Sequence, residues 1–348
     1  MPVSAFLVRH WFLPALAVAL AVGFWGAQGV APLADAGSFR AAVVATVLFL
    51  MGFTLHPGSM LRSIRKPRAW GLAIIINAAG VPLLAWAVSS GLTPAMGGGL
   101  LVAAVVPCTL ASASVWTRQA GGDDAVAMMV TVVTNLFCFA IAPFWLFLFF
   151  ARDTQIGFVD QAVKLALLVA LPLLVAQAAR RFGLAVWADE HKRRLSVVAQ
   201  IGILVMVAVG ASQSRRRYLA DAANRAAWPD VLMMALAAVG VHSIALIAGI
   251  LLARRGRLGR EQQVAVGIAG SQKTLMVGLQ LAIDCGVSML PMIVYHIGQL
   301  LIDTLVVQRW AAKSRNMAAA SQAEDIVEDG QAGDPEKSAT SGFKADVG

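Results

Sequence analysis

The chain has 348 residues, of which 59% are hydrophobic and only 14% charged, with a mean hydropathy of +0.73. Soluble domains run at about half apolar and about a quarter charged, so the composition excludes an ordinary soluble protein and indicates an integral membrane one. The net charge of +9 does not indicate a nucleic-acid partner, because the basic residues fall in short gaps between apolar runs, where they act as a topology signal.

A helix needs about 20 apolar residues to cross roughly 30 Å of hydrocarbon. Such runs predict ten spans, near 11–30, 40–61, 69–90, 95–117, 124–150, 157–180, 195–214, 229–253, 262–285 and 288–310. The first has no signal-peptide cleavage pattern and is expected to stay as a helix. A short N-terminus, 1–10, precedes it. Cys108, Cys138 and Cys285 sit inside apolar runs at no metal-ligand spacing and read as inert thiols. From 316 to 348 the chain turns acidic and poor in large apolar side chains, which predicts a disordered tail. Taking the N-terminus and every second gap as one side puts 18 Lys and Arg residues there, against 6 on the other. The positive-inside rule then predicts that both termini are cytoplasmic. "SRRRY" at 214–218 is the one outer gap against the trend.

Spans four and nine depart from the rest. Pro107 interrupts the fourth and is followed by Thr109, Ser112 and Ser114, while the ninth carries "GSQKT" among Gly267, Gly270 and Gly278. Each is fourth in its set of five, and five is odd, so the second set, 157–310, would insert upside down relative to the first, 11–150. Polar-interrupted helices at matching places of inverted repeats point to the midplane site of a secondary transporter. At 1.5 Å per residue, Lys273 lies about 17 Å into span nine and Asn77 roughly 12 Å into span three. Thr131, Thr134 and Asn135 share one face of span five at a similar depth. Polar groups from four spans thus occupy one slab, where they are costly in lipid but can converge in a bundle.

Three stretches carry a family likeness: "LFLMGFTLHPGSMLRSIRKPRAW" (48–70), "VPCTLASASVWTRQAGGDDAVAMMVTVVTNL" (106–136) and "GIAGSQKTLMVG" (267–278). Together, over about residues 10–312, the chain resembles the bile acid:sodium symporter family, most closely the branch with a lysine in the ninth helix. The resemblance implies an all-α polytopic fold of ten helices in an inverted five-plus-five repeat. Helices four and nine would be broken and crossing, and a panel domain would rock against a core domain. It further implies sodium ligands, with "NAAGVP" aligning Asn77 to a helix-three amide, Ser112 and Ser114 to the stretch after the helix-four proline, Thr131 to a helix-five hydroxyl and Gln272 to a helix-nine glutamine. Ala127 falls where other members have a second hydroxyl, and Ile268 falls where they have the helix-nine carboxylate shared by two sodium ions.

The expected function is therefore sodium- or proton-coupled uptake of an organic anion by alternating access, in the inner membrane of a bacterium. The candidate substrate- and ion-binding residues are Asn77, Thr109, Ser112, Ser114, Thr131, Thr134, Asn135, Ser271, Gln272, Lys273 and Thr274. No cofactor beyond a possible sodium ion, no nucleic acid and no obligatory protein partner is expected. Sodium wants oxygen ligands, and a nearby ammonium repels it. Lys273 either replaces a bound sodium as a fixed charge, attracting an anion or exchanging a proton, or leaves one sodium held elsewhere in the core. Asp303 in span ten, at similar depth, is the candidate charge partner of Lys273. His242 and His296 read as packing residues, and Lys164 is given no role. An enzyme is not expected: Ser271 and Lys273, two apart, do not face each other on a helix, and no further acid–base group accompanies them. A sodium-independent or channel-like permease and a non-transporting regulator are the alternatives.

Overall fold

Long apolar runs with few charges satisfy their backbone polar groups internally as helices, and the computed structural model is all-helical. It describes residues 11–56, 58, 63–150, 157–220 and 227–331; the expected N-terminal segment 1–10 and residues 332–348 of the tail lie outside these. In chain order the helices are α1 (Phe12–Trp25), α2 (Ala27–Asp35), α3 (Gly37–Phe53), α4 (Pro67–Ser89), α5 (Pro94–Val105), α6 (Ser112–Gln119), α7 (Asp124–Leu136), α8 (Cys138–Phe150), α9 (Phe158–Glu190), α10 (Lys192–Ala220), α11 (Trp228–Arg255), α12 (Arg260–Ser271), α13 (Leu275–Asp284) and α14 (Leu290–Gln331). Among the described residues α4, α9, α10, α11 and the Leu290–Trp310 part of α14 are long and apolar enough to cross a membrane. Counting each of two bent pairs as a span makes seven.

Local chemistry sets several of the boundaries. Proline opens α4 and α5, where the missing N–H costs nothing. Asp123 caps α7, accepting from the N–H groups of Ala125 and Val126. The first expected span is not one straight helix: α1 and α2 meet at Gly26 with a bend of 94°. Trp25 and Gly26 separate two runs that each satisfy their own backbone, and α1 is held by a close approach. A Cβ on Gly23 would lie 2.2 Å from the Ala208 carbonyl of α10. α7 and α8 are bent by 64° around Phe137. The tail departs from expectation too. Rather than losing regular structure at 316, α14 continues to Gln331; "NMAAASQAEDIVEDGQ" holds enough Ala, Gln and Glu to propagate a helix already nucleated by the apolar part.

α10 lies against α1, α2 and α3, and α9 packs on α3. Elsewhere α11 lies against α12 and α14, with α4 and α7 also on α12. α5 and α13 run between these groups, each touching the other and α14. Contacts gather the loops at two ends. At one, Lys66 pairs with Asp123, Arg118 with Asp124, and the Asp123 N–H donates to the Glu261 carbonyl at 3.0 Å. At the other, Arg216 pairs with Asp35, Lys164 with Asp284 at 2.7 Å, and the Ser288 N–H donates to the Ala95 carbonyl. Lys164, given no role from sequence, thus has an acidic partner.

Candidate functional site: a crossing of two broken helices

α5 and α6 are separated by the non-helical segment 106–111, and α12 and α13 by 272–274. The two breaks touch: the Thr274 N–H donates to the Pro107 carbonyl at 2.9 Å. Each interruption strands backbone groups that would be costly in an apolar interior, and among the polar side chains singled out from sequence Asn77, Thr131, Thr134, Asn135 and Lys273 bond to them. The four consecutive carbonyls of Val106, Pro107, Cys108 and Thr109 accept, respectively, from Lys273 Nζ (2.9 Å), Thr274 N, Asn135 Nδ2 (2.8 Å) and Thr131 Oγ1 (3.1 Å). Thr134 Oγ1 accepts from the Cys108 N–H and donates to the Val130 carbonyl. Thr131, Thr134 and Asn135 therefore converge as expected, and the bonds they make are caps on the break.

The second break is clamped from α4, α11 and α14. Asn77 Nδ2 donates to the Gln272 carbonyl at 2.9 Å and, more distantly, to those of Ala269 and Gly270. Gln299 grips the backbone of Lys273 on both sides, its Oε1 accepting from the Lys273 N–H at 2.9 Å and its Nε2 donating to the Lys273 carbonyl at 3.1 Å. The Tyr295 hydroxyl donates to the Ser271 carbonyl at 2.7 Å. Ser271 Oγ turns back to the Gly267 and Ile268 carbonyls of its own helix, away from the crossing. The Thr274 side chain and Ser114 are buried but form none of these hydrogen bonds. Tyr295 and the clamping role of Gln299 were missed from sequence; one of only two tyrosines, set in an apolar run, was the available signal.

Lys273 is fully buried. Its Nζ donates to three oxygens: the Asn77 carbonyl at 2.6 Å, the Val106 carbonyl at 2.9 Å and Asn77 Oδ1 at 3.2 Å. The Asn77 carbonyl is free for it because α4 contains a π-turn at Ile76–Gly80. There the Val81 N–H donates to Ile76 rather than to Asn77, and residue 82, the next candidate donor, is a proline without an N–H. Pro82 likewise strands the Ala78 carbonyl, which takes the Trp145 indole N–H at 2.7 Å.

The expected ion pair between Lys273 and Asp303 is not formed. Asp303 accepts from Gln272 Nε2 at 2.5 Å and faces His242 Nε2 at 3.2 Å, all of them buried. Adjacent residues on the extended break project in different directions, so Gln272 turns toward α14 while Lys273 turns toward α4; equal depth did not fix the azimuth. His242 also approaches the Ser271 carbonyl at 3.4 Å, and His296 shares a hydrogen bond with Gln299 at 2.8 Å. A small oxygen cluster remains beside the break: the Thr109 hydroxyl donates to Gln272 Oε1 at 2.5 Å, and Ser112 Oγ lies 2.7 Å from Thr109 Oγ1 and 3.0 Å from Gln272 Oε1. Of the residues expected to hold sodium, Ser112 and Gln272 meet here, Asn77 and Thr131 are engaged in the bonds above, and Ser114 stands apart. Among the described residues no cluster of three or more His, Cys, Asp and Glu side chains could hold a metal ion.

Residues 10–312 match the SBF-like CPA transporter family. A Pseudomonas aeruginosa protein, PA2026, is 26% identical over 284 residues, covering 77% of this chain and 84% of that protein. The probable sodium/metabolite cotransporter BASS4 of Arabidopsis thaliana is 27% identical over 63% of this chain and 53% of its own. Mouse sodium/bile acid cotransporter 7 is 23% identical over 57% of this chain and 61% of its own. With the match covering nearly all of the described helices, and with two broken helices crossing around a buried polar network, the chain belongs to the SBF-like CPA transporter family and is a membrane transporter rather than an enzyme.

Proposed function

We propose that the protein is a cation-coupled secondary transporter of an organic anion, working by alternating access, in which the ammonium of Lys273 occupies the position of one bound cation. The observation that carries this reading is the cradle around Nζ. Two backbone carbonyls and one amide oxygen surround it, the hard-oxygen donor set that a sodium ion also takes. Ile268 stands where the family resemblance would place a cation-binding carboxylate, and a tethered ammonium keeps the positive charge in the crossing without one. The named functions of BASS4 and cotransporter 7 support coupled transport of a small metabolite.

We infer ten passes in two inverted repeats, 11–150 and 157–310, with both termini cytoplasmic in the inner membrane of a bacterium. The breaks in the fourth member of each set and the lysine and arginine asymmetry support this. The cluster of Thr109, Ser112 and Gln272 Oε1 favours a second reading for coupling, in which one sodium ion binds there beside Lys273. The test is uptake of a radiolabelled carboxylate into proteoliposomes under imposed sodium or proton gradients. Saturable uptake driven by either gradient supports the transporter; flux that rises linearly with concentration and ignores both gradients indicates a channel, and no flux indicates a regulator.

A further inference from the structure

The three consecutive arginines of "SRRRY" run against the charge asymmetry of the chain, and two of them line a cavity. It has a volume of about 520 Å³ and lies at the end of the molecule where Asp35 and Val287 meet α10. Its walls are Asp35 and Arg40 from the α2–α3 corner, Gln213, Arg216, Arg217 and Ala220 from α10, and Ile283 from the end of α13. Three guanidinium groups thus face one carboxylate. Arg216 meets Asp35 with a two-pronged contact, Nη1 at 2.8 Å and Nη2 at 2.6 Å. Arg40 and Gln213 both donate to the Ala34 carbonyl, and Arg217 donates to the Val287 carbonyl at 3.0 Å. These bonds fix the side chains without exhausting them. Among the described residues the Nε groups of Arg40 and Arg216 are buried without a hydrogen-bond partner, and the bond shown for Arg217 is made by Nη1.

We propose that this cavity is an entry site that captures the carboxylate head of an organic anion before it reaches the crossing. A guanidinium fork matches a carboxylate in plane and charge. Among the described residues the lining carries two basic groups in excess of Asp35, and Ala220 and Ile283 offer apolar surface to the body of the ligand. α13 connects the two sites directly: its ten residues, Leu275–Asp284, span about 15 Å from the break at Lys273 to Ile283. The cavity also lies between α13 and the α2, α3 and α10 group, so a shift between them would open or close it. The role as an entry site rests on the transporter reading; the binding of a carboxylate does not.

The test uses the full chain purified in detergent, with hexanoate as probe and hexanamide as its uncharged isostere, each titrated at constant ionic strength against melting temperature. Hexanoate should stabilise the wild type saturably and hexanamide should not. Arg217→Gln and Arg40→Gln should each raise the apparent Kd by about tenfold or more. Arg217→Lys, which keeps the charge and loses the fork, should fall between them and wild type and covers the case that Arg217→Gln does not fold. Thr304→Ala, which removes only a hydroxyl bonded to the Leu300 carbonyl of its own helix, should respond as wild type does. No saturable response to hexanoate, or an unchanged Kd in the arginine variants, overturns the proposal. A response lost in Lys273→Gln alone also overturns it, moving the anion to the crossing while leaving transport intact. Failure of the transporter reading shows separately, as absence of proteoliposome flux.

Discussion

Lys273 and Asn77 hold each other by complementary hydrogen bonds across the crossing. The ammonium donates to the Asn77 carbonyl and Oδ1, while Asn77 Nδ2 donates to the carbonyl of Gln272, the residue before the lysine. One asparagine at a π-turn thus fixes both the charge and the backbone that carries it. A buried ammonium is tolerable only when its three protons are paired, and Asn77 with Val106 pairs all of them.

Replacing the ammonium by an apolar group of similar shape leaves those oxygens without a donor, each costing about 1–3 kcal/mol. Lys273→Met should therefore lower stability by about 2–5 kcal/mol despite relieving a buried charge. Chemical or thermal unfolding in detergent measures it, and a variant as stable as wild type would remove the cradle from the account.

Pro82 provides a test of how α4 frees its carbonyls. Trp145→Phe should cost about 1 kcal/mol by stranding the Ala78 carbonyl. In a Pro82→Ala background, where residue 82 regains an N–H four residues after Ala78, that cost should shrink toward zero. A double-mutant cycle reads the coupling directly. Equal costs in the two backgrounds would show that the proline does not create the acceptor. Pro82→Ala should also compete with Lys273 for the Asn77 carbonyl and reduce transport.

The backbone of Lys273 depends on Gln299. Gln299→Leu leaves one buried N–H and one buried carbonyl unpaired and should cost about 2–4 kcal/mol. Thr304→Ala, on the same helix, removes only a hydroxyl bonded back to the Leu300 carbonyl and should cost about 0.5 kcal/mol or less. Comparable losses from the two substitutions would argue against the clamp.

Thr131 distinguishes capping from ion binding. Its hydroxyl donates to the Thr109 carbonyl, so Thr131→Val should lower the melting temperature by the same amount in sodium and in choline. A loss confined to sodium would instead make Thr131 an ion ligand, as its family alignment implies.

Much of this arrangement was legible in the chain. Pro107 among apolar residues, "SQKT" among glycines, and the i, i+3, i+4 set of Thr131, Thr134 and Asn135 identify the breaks and the face that covers them, because backbone disruption and helical periodicity are local properties. The pairing of Asp303 was not legible. Depth follows from counting residues, whereas direction depends on the dihedrals of Gln272 and Lys273 in the break, and these sent Gln272 to the carboxylate. The bend of 94° between α1 and α2 was not legible either. The helix beyond 316 continues because one already nucleated can extend into a sequence too polar to start one.

The claim that Lys273 stands where a cation would bind is tested most directly by comparing melting temperatures in sodium and in choline at constant ionic strength, for wild type and Lys273→Ala. A ligand at a hundred times its Kd adds about 2.7 kcal/mol, a readable shift. The account predicts a sodium-specific stabilisation that is larger in Lys273→Ala than in wild type, as the emptied oxygen cradle accepts the ion. A sodium response equal to or greater than the variant's in wild type would contradict it.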